Sequence, residues 1–323
     1  MKKLLFFITL AATLVACSPK AEQAAKVYGR YVPERKDDFA WENEYAAFRM
    51  YGPALAPENP SNGVDLWLKN SPALAIDTMY GRELKDGRPY HINYDGNLDC
   101  YKVGHTAGCG GLVVAVDAED PGEYAGQLFV GGPYSTWEIL EQTPDQFVFR
   151  LHYDSLQVAY ARLEADVTIT VEAGKMLNKA EVVLMCPAKI RLPKFYVGGG
   201  IYLHDGADSA RMTNCEACGM IALAEDALSD KTAAQMNFDH NGSTTQGSNY
   251  IAVVTPGATW QDILGEEGAQ TYVSMKEYEL GDTLTYYFGA CWSEWSNGEL
   301  SFPTDESWFD FVRNEVRSYI VNQ

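Results

Sequence analysis

The stretch from Tyr90 to His105 places His91, His105, Tyr90, Tyr94, Tyr101 and Lys102 close together, with Asp95 and Asp99 among them. Imidazole, phenol and amine side chains are the groups that take a proton from carbon when a protein shifts their acidity toward neutrality. Arg49, Arg82 and Arg88 add guanidinium forks, which match a carboxylate bidentately. Together these types suit removal of a proton beside a carboxylate, with a cation stabilising the negative charge as it develops. On this reading His91, His105 and Tyr101 are the candidate catalytic groups. Arg49, Arg88, Lys102, Asp95 and Asp99 are the candidate substrate-binding groups. Asp95, Asp99, Glu42 and Glu44 keep a second chemistry open, hydrolysis by a carboxylate pair. Trp41 and Trp67 offer flat apolar faces on which a sugar ring could stack, although core packing is the commoner use of such residues. Each histidine likewise has an ordinary structural reading as a hydrogen-bonded ring, and Arg49 could simply pair with Glu42 or Glu44.

Metal and thiol chemistry is less well provided for. Asp95, Asn97 and Asp99 have the opening spacing of a calcium loop, but Cys100 stands where an EF-hand needs glycine and Thr106 where it needs a bidentate glutamate. An EF-hand is therefore rejected. A calcium site of another design stays open, and no other cofactor is expected. Cys215-x-x-Cys218 has the look of a zinc half-site, with only His204 and His240 nearby to complete it, so a structural disulfide is the preferred reading. The glycines of Gly108-Cys109-Gly110-Gly111 and Gly198-Gly199-Gly200 lack a phosphate-loop lysine and read as close backbone approaches or bulges.

The elements that must hold these residues are β-rich. Apolar residues alternate through Phe147 to Tyr153 and Val167 to Val171. Similar runs follow at 181–185, 195–202, 220–224, 250–255 and 283–290, separated by Gly, Asp, Asn and Pro. This predicts an all-β fold, a large antiparallel β-sandwich. A short C-terminal helix is predicted as well, with Thr304 as cap, Asp305 and Glu306 in its first turn, and Trp308, Phe309, Val312, Val316, Tyr319 and Ile320 as its apolar stripe. Residues 206–240 lack periodicity and read as an excursion from a sheet. The segments 35–53, 63–69 and 90–111 pack polar, aromatic and glycine residues without a core period, and read as functional loops.

The N-terminus carries an address. Lys2 and Lys3 precede the apolar run Leu4 to Val15, too short to span a membrane, and Leu14-Val15-Ala16-Cys17 has lipobox form. Residues 1–16 thus read as a lipoprotein signal and Cys17 as the lipidated residue. Residues 17–27 would form a tether, and 28–323 a single β-sandwich domain. The expected location is the cell envelope, periplasmic or outer membrane, anchored by lipid. Six cysteines remain for the fold, an even number compatible with disulfides in an oxidising compartment. The 323-residue chain has a formal charge of −19, which argues against nucleic acid as a partner. An acidic substrate would need a local basic pocket within this acidic surface.

Three segments, "DDFAWEN…AFRMYGP", "GVDLWLK" and "YH…DG…DCYKVG…GCGG", resemble the Bacteroidota family catalogued as domain of unknown function 4861, most strongly between Val32 and Gly111. Members of that family commonly occur beside pectin- and uronate-degrading enzymes. The resemblance therefore implies an envelope-tethered enzyme whose partner is an acidic, uronic-acid-containing oligosaccharide, and it supplies no assigned catalytic residues. Joined to the His, Tyr and Arg set, it favours β-elimination, as a lyase or a dehydratase. Hydrolysis by a carboxylate pair and a non-catalytic glycan-binding lipoprotein are the alternatives. Mutarotation or epimerisation is suggested only by analogy with the supersandwich folds of sugar mutarotases and some polysaccharide lyases.

Overall fold

The computed structural model describes residues 24–227 and 246–320, apart from 62, 189 and 205. The expected signal, Cys17, most of the tether and His240 lie outside the described residues. Within them the fold is an all-β sandwich of antiparallel sheets with a C-terminal helix, as the alternation predicts.

Three sheets build it. The first has the order β1 (Tyr28–Val32), β2 (Asp38–Glu42), β3 (Ala46–Met50), β4 (Val64–Lys69), β5 (Asn97–Asp99), with helix α1 (Ile76–Asp86) inserted before β5. The second contains β8 (Thr136–Gln142), β9 (Gln146–Val158), β10 (Ala161–Glu172), β11 (Asn178–Met185), β13 (Arg211–Cys215), β14 (Met220–Asp226), β15 (Ser248–Val254) and β18 (Thr283–Trp292), in the order β13-β14-β15-β18-β11-β10-β9-β8. The third is ordered β16-β17-β12-β6-β7, from β6 (Cys109–Val116), β7 (Leu128–Phe129), β12 (Phe195–Tyr202), β16 (Trp260–Leu264) and β17 (Thr271–Glu277). Every strand pairing is antiparallel.

One contiguous apolar core runs through all three sheets, from Phe39, Trp41 and Phe48 of the first, through Phe149 and Phe288 of the second, to Val114 and Val197 of the third. The glycine runs sit where sheets come closest. A Cβ on Gly199 would lie 2.8 Å from both Tyr286 and Val253, and the β12–β6 register shifts at Gly200. The C-terminal helix α2 (Asp305–Ile320) starts after Thr304, whose hydroxyl accepts the Ser307 amide while the Ser307 hydroxyl accepts the Thr304 amide. Trp308, Val312 and Val316 are its buried stripe.

Two expectations need correction, and one helix was not foreseen. Residues 38–42, 46–50 and 64–69 are strands, not loops, and every residue in them is buried. They lack a visible alternation because both faces of this sheet are covered, one by the sandwich core and the other by α1 and Tyr90. The helix α1 has no counterpart in the sequence reading. Residues 206–226 are not an irregular excursion but include the β13–β14 hairpin, closed by a Cys215–Cys218 disulfide. The bridge removes both thiols from metal binding.

Candidate active site

The covered outer face of the first sheet is where charge collects. Along β2 to β5 the side chains alternate. Phe39, Trp41, Phe48, Met50, Leu66, Leu68 and Leu98 enter the sandwich core. Asp38, Glu42, Arg49, Asp65, Lys69 and Asp99 take the other face, and all are buried. Register then makes the pairs, with Arg49 directly opposite Asp65 and Trp67 opposite Asp99. Arg49 Nη2 donates to Asp65 Oδ2 at 2.5 Å and Asp99 Oδ2 at 3.1 Å, and Nη1 lies 3.8 Å from Asp38 Oδ2. The guanidinium is packed 5.0 Å from the Tyr51 and Trp67 ring centres and 5.3 Å from that of Tyr90. Tyr90 Oη accepts from Arg49 Nη1 at 3.0 Å and from Arg35 Nε at 3.1 Å.

Three aspartates thus surround one enclosed arginine. Burial disfavours their charged forms more than Arg49 favours them. The Asp65 carboxyl is pushed up to about 7, by burial first and then by Asp99, and the Asp99 carboxyl is pushed up to about 6 by burial. Asp38 is raised for the same reason. The cluster therefore retains protons at pH values where exposed aspartates are ionised.

His91 sits at the edge of this cluster, with 34% of its side chain exposed. Its Nδ1 lies 3.1 Å from the Asp99 carbonyl and 3.5 Å from Asp99 Oδ2. Both neighbours are acceptors, so Nδ1 carries the hydrogen and Nε2 is left as the basic nitrogen. Burial, reinforced by the Arg49 charge, lowers the pKa of His91 below that of an ordinary imidazole and so favours the neutral ring. Tyr90 holds the ring edge-on, 4.6 Å between centres.

The family model for Domain of unknown function (DUF4861) matches residues 15–319. The chain belongs to that family. This DUF4861 chain is 24% identical over 294 residues to "Uncharacterized protein P7" of Formosa agariphila, a match covering 88% of the chain and 66% of that protein, so it spans just under two thirds of its relative's length. Among solved structures, the GH36 alpha-galactosidase AgaB from Geobacillus stearothermophilus aligns with 83% of the chain and 41% of its own, at 10% identity and a TM-score of 0.41. The GH36 alpha-galactosidase AgaA of the same organism, in complex with 1-deoxygalactonojirimycin, aligns at 10% identity and a TM-score of 0.38, covering 79% of the chain and 40% of its own. Likeness at this level assigns no activity to the DUF4861 chain.

The remaining candidates divide. Of the predicted residues His91, Arg49, Asp99 and Trp67 meet, and Arg49 is spent on the aspartates and Tyr90 rather than open as a fork. Trp67 is buried between Arg49, Tyr80 and Tyr90, and Trp41 lies in the sandwich core, so neither presents a free face to a sugar. Arg88 is exposed, its guanidinium 4.2 Å from the Tyr94 ring centre, just before Tyr90. Asp95 is exposed at a left-handed turn, φ 57°, whereas Asp99 points into the Arg49 cluster, so the two do not form a common calcium site. Among the described residues no group of three or more His, Cys, Asp or Glu is arranged to hold a metal ion.

His105, Tyr101 and Lys102 belong elsewhere. His105 is exposed beside Gln127, Glu266 and Thr271. Tyr101 is buried against His204, and burial pushes its hydroxyl well above the usual phenol range, which unsuits it as a base. The Lys102 side chain is exposed, while its carbonyl accepts from His204 Nε2 at 2.9 Å. His204 Nδ1 faces Glu225 Oε1 at 2.8 Å. The ring thus bridges the Lys102 carbonyl and Glu225, and ties the segment after β5 to β14.

Sequence reasoning missed Asp38, Asp65 and Arg35 as cluster members and Tyr90 as the phenol that links two guanidinium groups. The available signal was register: with β3 and β4 paired, Arg49 and Asp65 are forced opposite one another. It also missed the cross-strand pair of His152 Nδ1 and Asp166 Oδ1, 2.8 Å apart on the solvent face of β9 and β10.

Proposed function

We propose that this protein is an enzyme acting on uronic-acid-containing oligosaccharides by β-elimination, with His91 as the base. The observation that carries this reading is the His91 ring itself: partly exposed, fixed through Nδ1 by Asp99, and neutral with Nε2 basic. In the step, Nε2 takes the proton on the carbon next to the substrate carboxylate. The electron pair forms a carbon–carbon double bond, the C–O bond at the β position breaks, and the departing oxygen takes up a proton from solvent. If the leaving oxygen is glycosidic the reaction is that of a lyase; if it is a hydroxyl, water leaves and the reaction is a dehydration. As the ring gains its proton, the Asp99 carboxylate 3.5 Å from Nδ1 stabilises the imidazolium. Arg35, half-buried and bonded to Tyr90, and Arg88, exposed two residues before Tyr90, are the cations we assign to the substrate carboxylate.

Hydrolysis by Asp65 and Asp99 is the weaker reading. A hydrolytic pair must reach the glycosidic oxygen and a water from opposite sides. These two carboxyls are fully buried and bound to the same nitrogen of Arg49. The proposal includes the envelope location, with Cys17 as lipid anchor.

Incubation with oligogalacturonides and with ulvan-type oligomers tests the reaction. We expect absorbance from an unsaturated uronate, with mass spectrometry separating chain cleavage from loss of water. His91→Ala should slow the reaction about 10²- to 10⁴-fold. Saturated reducing-end products, or no product from any of these substrates, would overturn the proposal.

A further inference from the structure

We infer that the cleft between the β9–β10 turn and the segments 120–124 and 191–194 is a second saccharide site, taking an anionic pyranose. The cleft measures about 560 Å³ and shares no residue with the surroundings of His91. Its walls are aromatic and apolar: Tyr124, Tyr160, Leu192 and Pro193. Tyr160 is the most exposed large hydrophobic side chain of the described residues, at 58%. It occupies a two-residue turn in which Ala159 takes the left-handed conformation, φ 50°. The ring is nonetheless held in place. Its hydroxyl donates to the Arg191 carbonyl at 2.5 Å, and its edge meets Tyr124 with ring centres 6.3 Å apart. An exposed aromatic face fixed by its own hydroxyl is pre-ordered for stacking, so little side-chain entropy is lost on binding.

The charges select the ligand. Lys194 is occupied by Asp117 and Glu277, each at 3.2 Å. Asp120 accepts the Gly122 amide at 2.7 Å, and Glu123 is bonded to the Tyr124 hydroxyl. Arg191 is exposed and forms no ion pair among the described residues. Asp120 and Glu123 keep their negative charges but are each held on a donor of their own segment, so the cation of the lining without an ion pair is the Arg191 guanidinium, beside a flat ring. That combination fits a pyranose bearing a carboxylate or a sulfate, the ring on Tyr160 and the anion on Arg191. The saccharide class is shared with the proposed function; the site and its residues are independent of it.

The test is calorimetric titration of the full protein in a His91→Ala background, which prevents turnover, using a galacturonate trimer, a sulfated ulvan oligomer and a neutral malto-oligosaccharide. Tyr160→Ala and Arg191→Ala should each weaken one saturable anionic site about tenfold. Tyr160→Phe should lose part of the binding, because the ring is kept and its tether is not. Comparison of the galacturonate and sulfated arms identifies the anion. Unchanged binding in both alanine variants, or equal binding of the neutral sugar, overturns the inference. Turnover by the wild type with binding indifferent to Tyr160 and Arg191 would sink this site and leave the proposed function standing. Tyr160-dependent binding with no unsaturated product would do the reverse.

Discussion

At the scale of single residues, the site is a contest between burial and pairing. Asp65 and Asp99 bind protons in the folded protein at pH values where the unfolded chain, near the ordinary 3.8, has released them. The folded state holds more protons, so stability from this pair is complete in acid and declines as pH rises from about 4 toward about 7. Asp65→Asn cannot bind that proton. The fall in melting temperature between about pH 4 and about pH 7 should therefore be smaller in this variant than in the wild type, by calorimetry. An identical pH slope in both proteins would show that Asp65 is ionised throughout. Of these residues, His91, Arg49 and Asp99 were legible in the sequence, because their types announce chemistry. Their roles were not. Arg49 reads as an exposed fork when nothing in the sequence shows three carboxylates converging on it from separate strands. Trp67 reads as a sugar platform until Tyr80 and Tyr90 are seen to cover it.

At the scale of elements, α1 shows how a helix can escape detection. Its N-cap is Ala75, which has no side-chain oxygen to receive the first amides. The cap comes from another strand. Glu42 of β2 accepts from the Ala75 amide at 2.8 Å and the Ile76 amide at 3.0 Å, and receives Lys69 Nζ at 2.9 Å. A partner 33 residues upstream is invisible to a local cap rule. The C-terminal signal was present: Gly87 ends the helix in the left-handed region, φ 63°. Glu42→Gln should cost about 3–5 kcal/mol in chemical denaturation, because it leaves the buried Lys69 ammonium without its counter-charge. A double change, Glu42→Gln with Lys69→Met, should recover part of that loss. If the single variant denatures like the wild type, the helix is not anchored through Glu42. Strands β9, β10 and β11 were legible for the opposite reason: along each of them buried and half-exposed residues alternate, so period two survives in the sequence.

At the scale of the whole molecule, the proposed anchor predicts a partition. The wild type should partition with the membrane fraction and carry labelled fatty acid, and Cys17→Ser should lose the label and keep its signal uncleaved by mass spectrometry; a variant that still takes up the label would refute lipidation at this residue. The first sheet, meanwhile, bears on how the molecule reaches its fold at all. Sliding β3 by one residue against its neighbours would exchange its faces. Arg49 would then enter the layer of Phe39, Trp41 and Phe288, and Phe48 would lie among Asp38, Asp65 and Asp99. An unpaired buried charge costs several kcal/mol, so a chain mispaired this way cannot settle. A sheet greasy on both sides would tolerate such an error. The hidden charges therefore act as a proof-reader of assembly, rejecting misaligned intermediates before the site exists to do any chemistry.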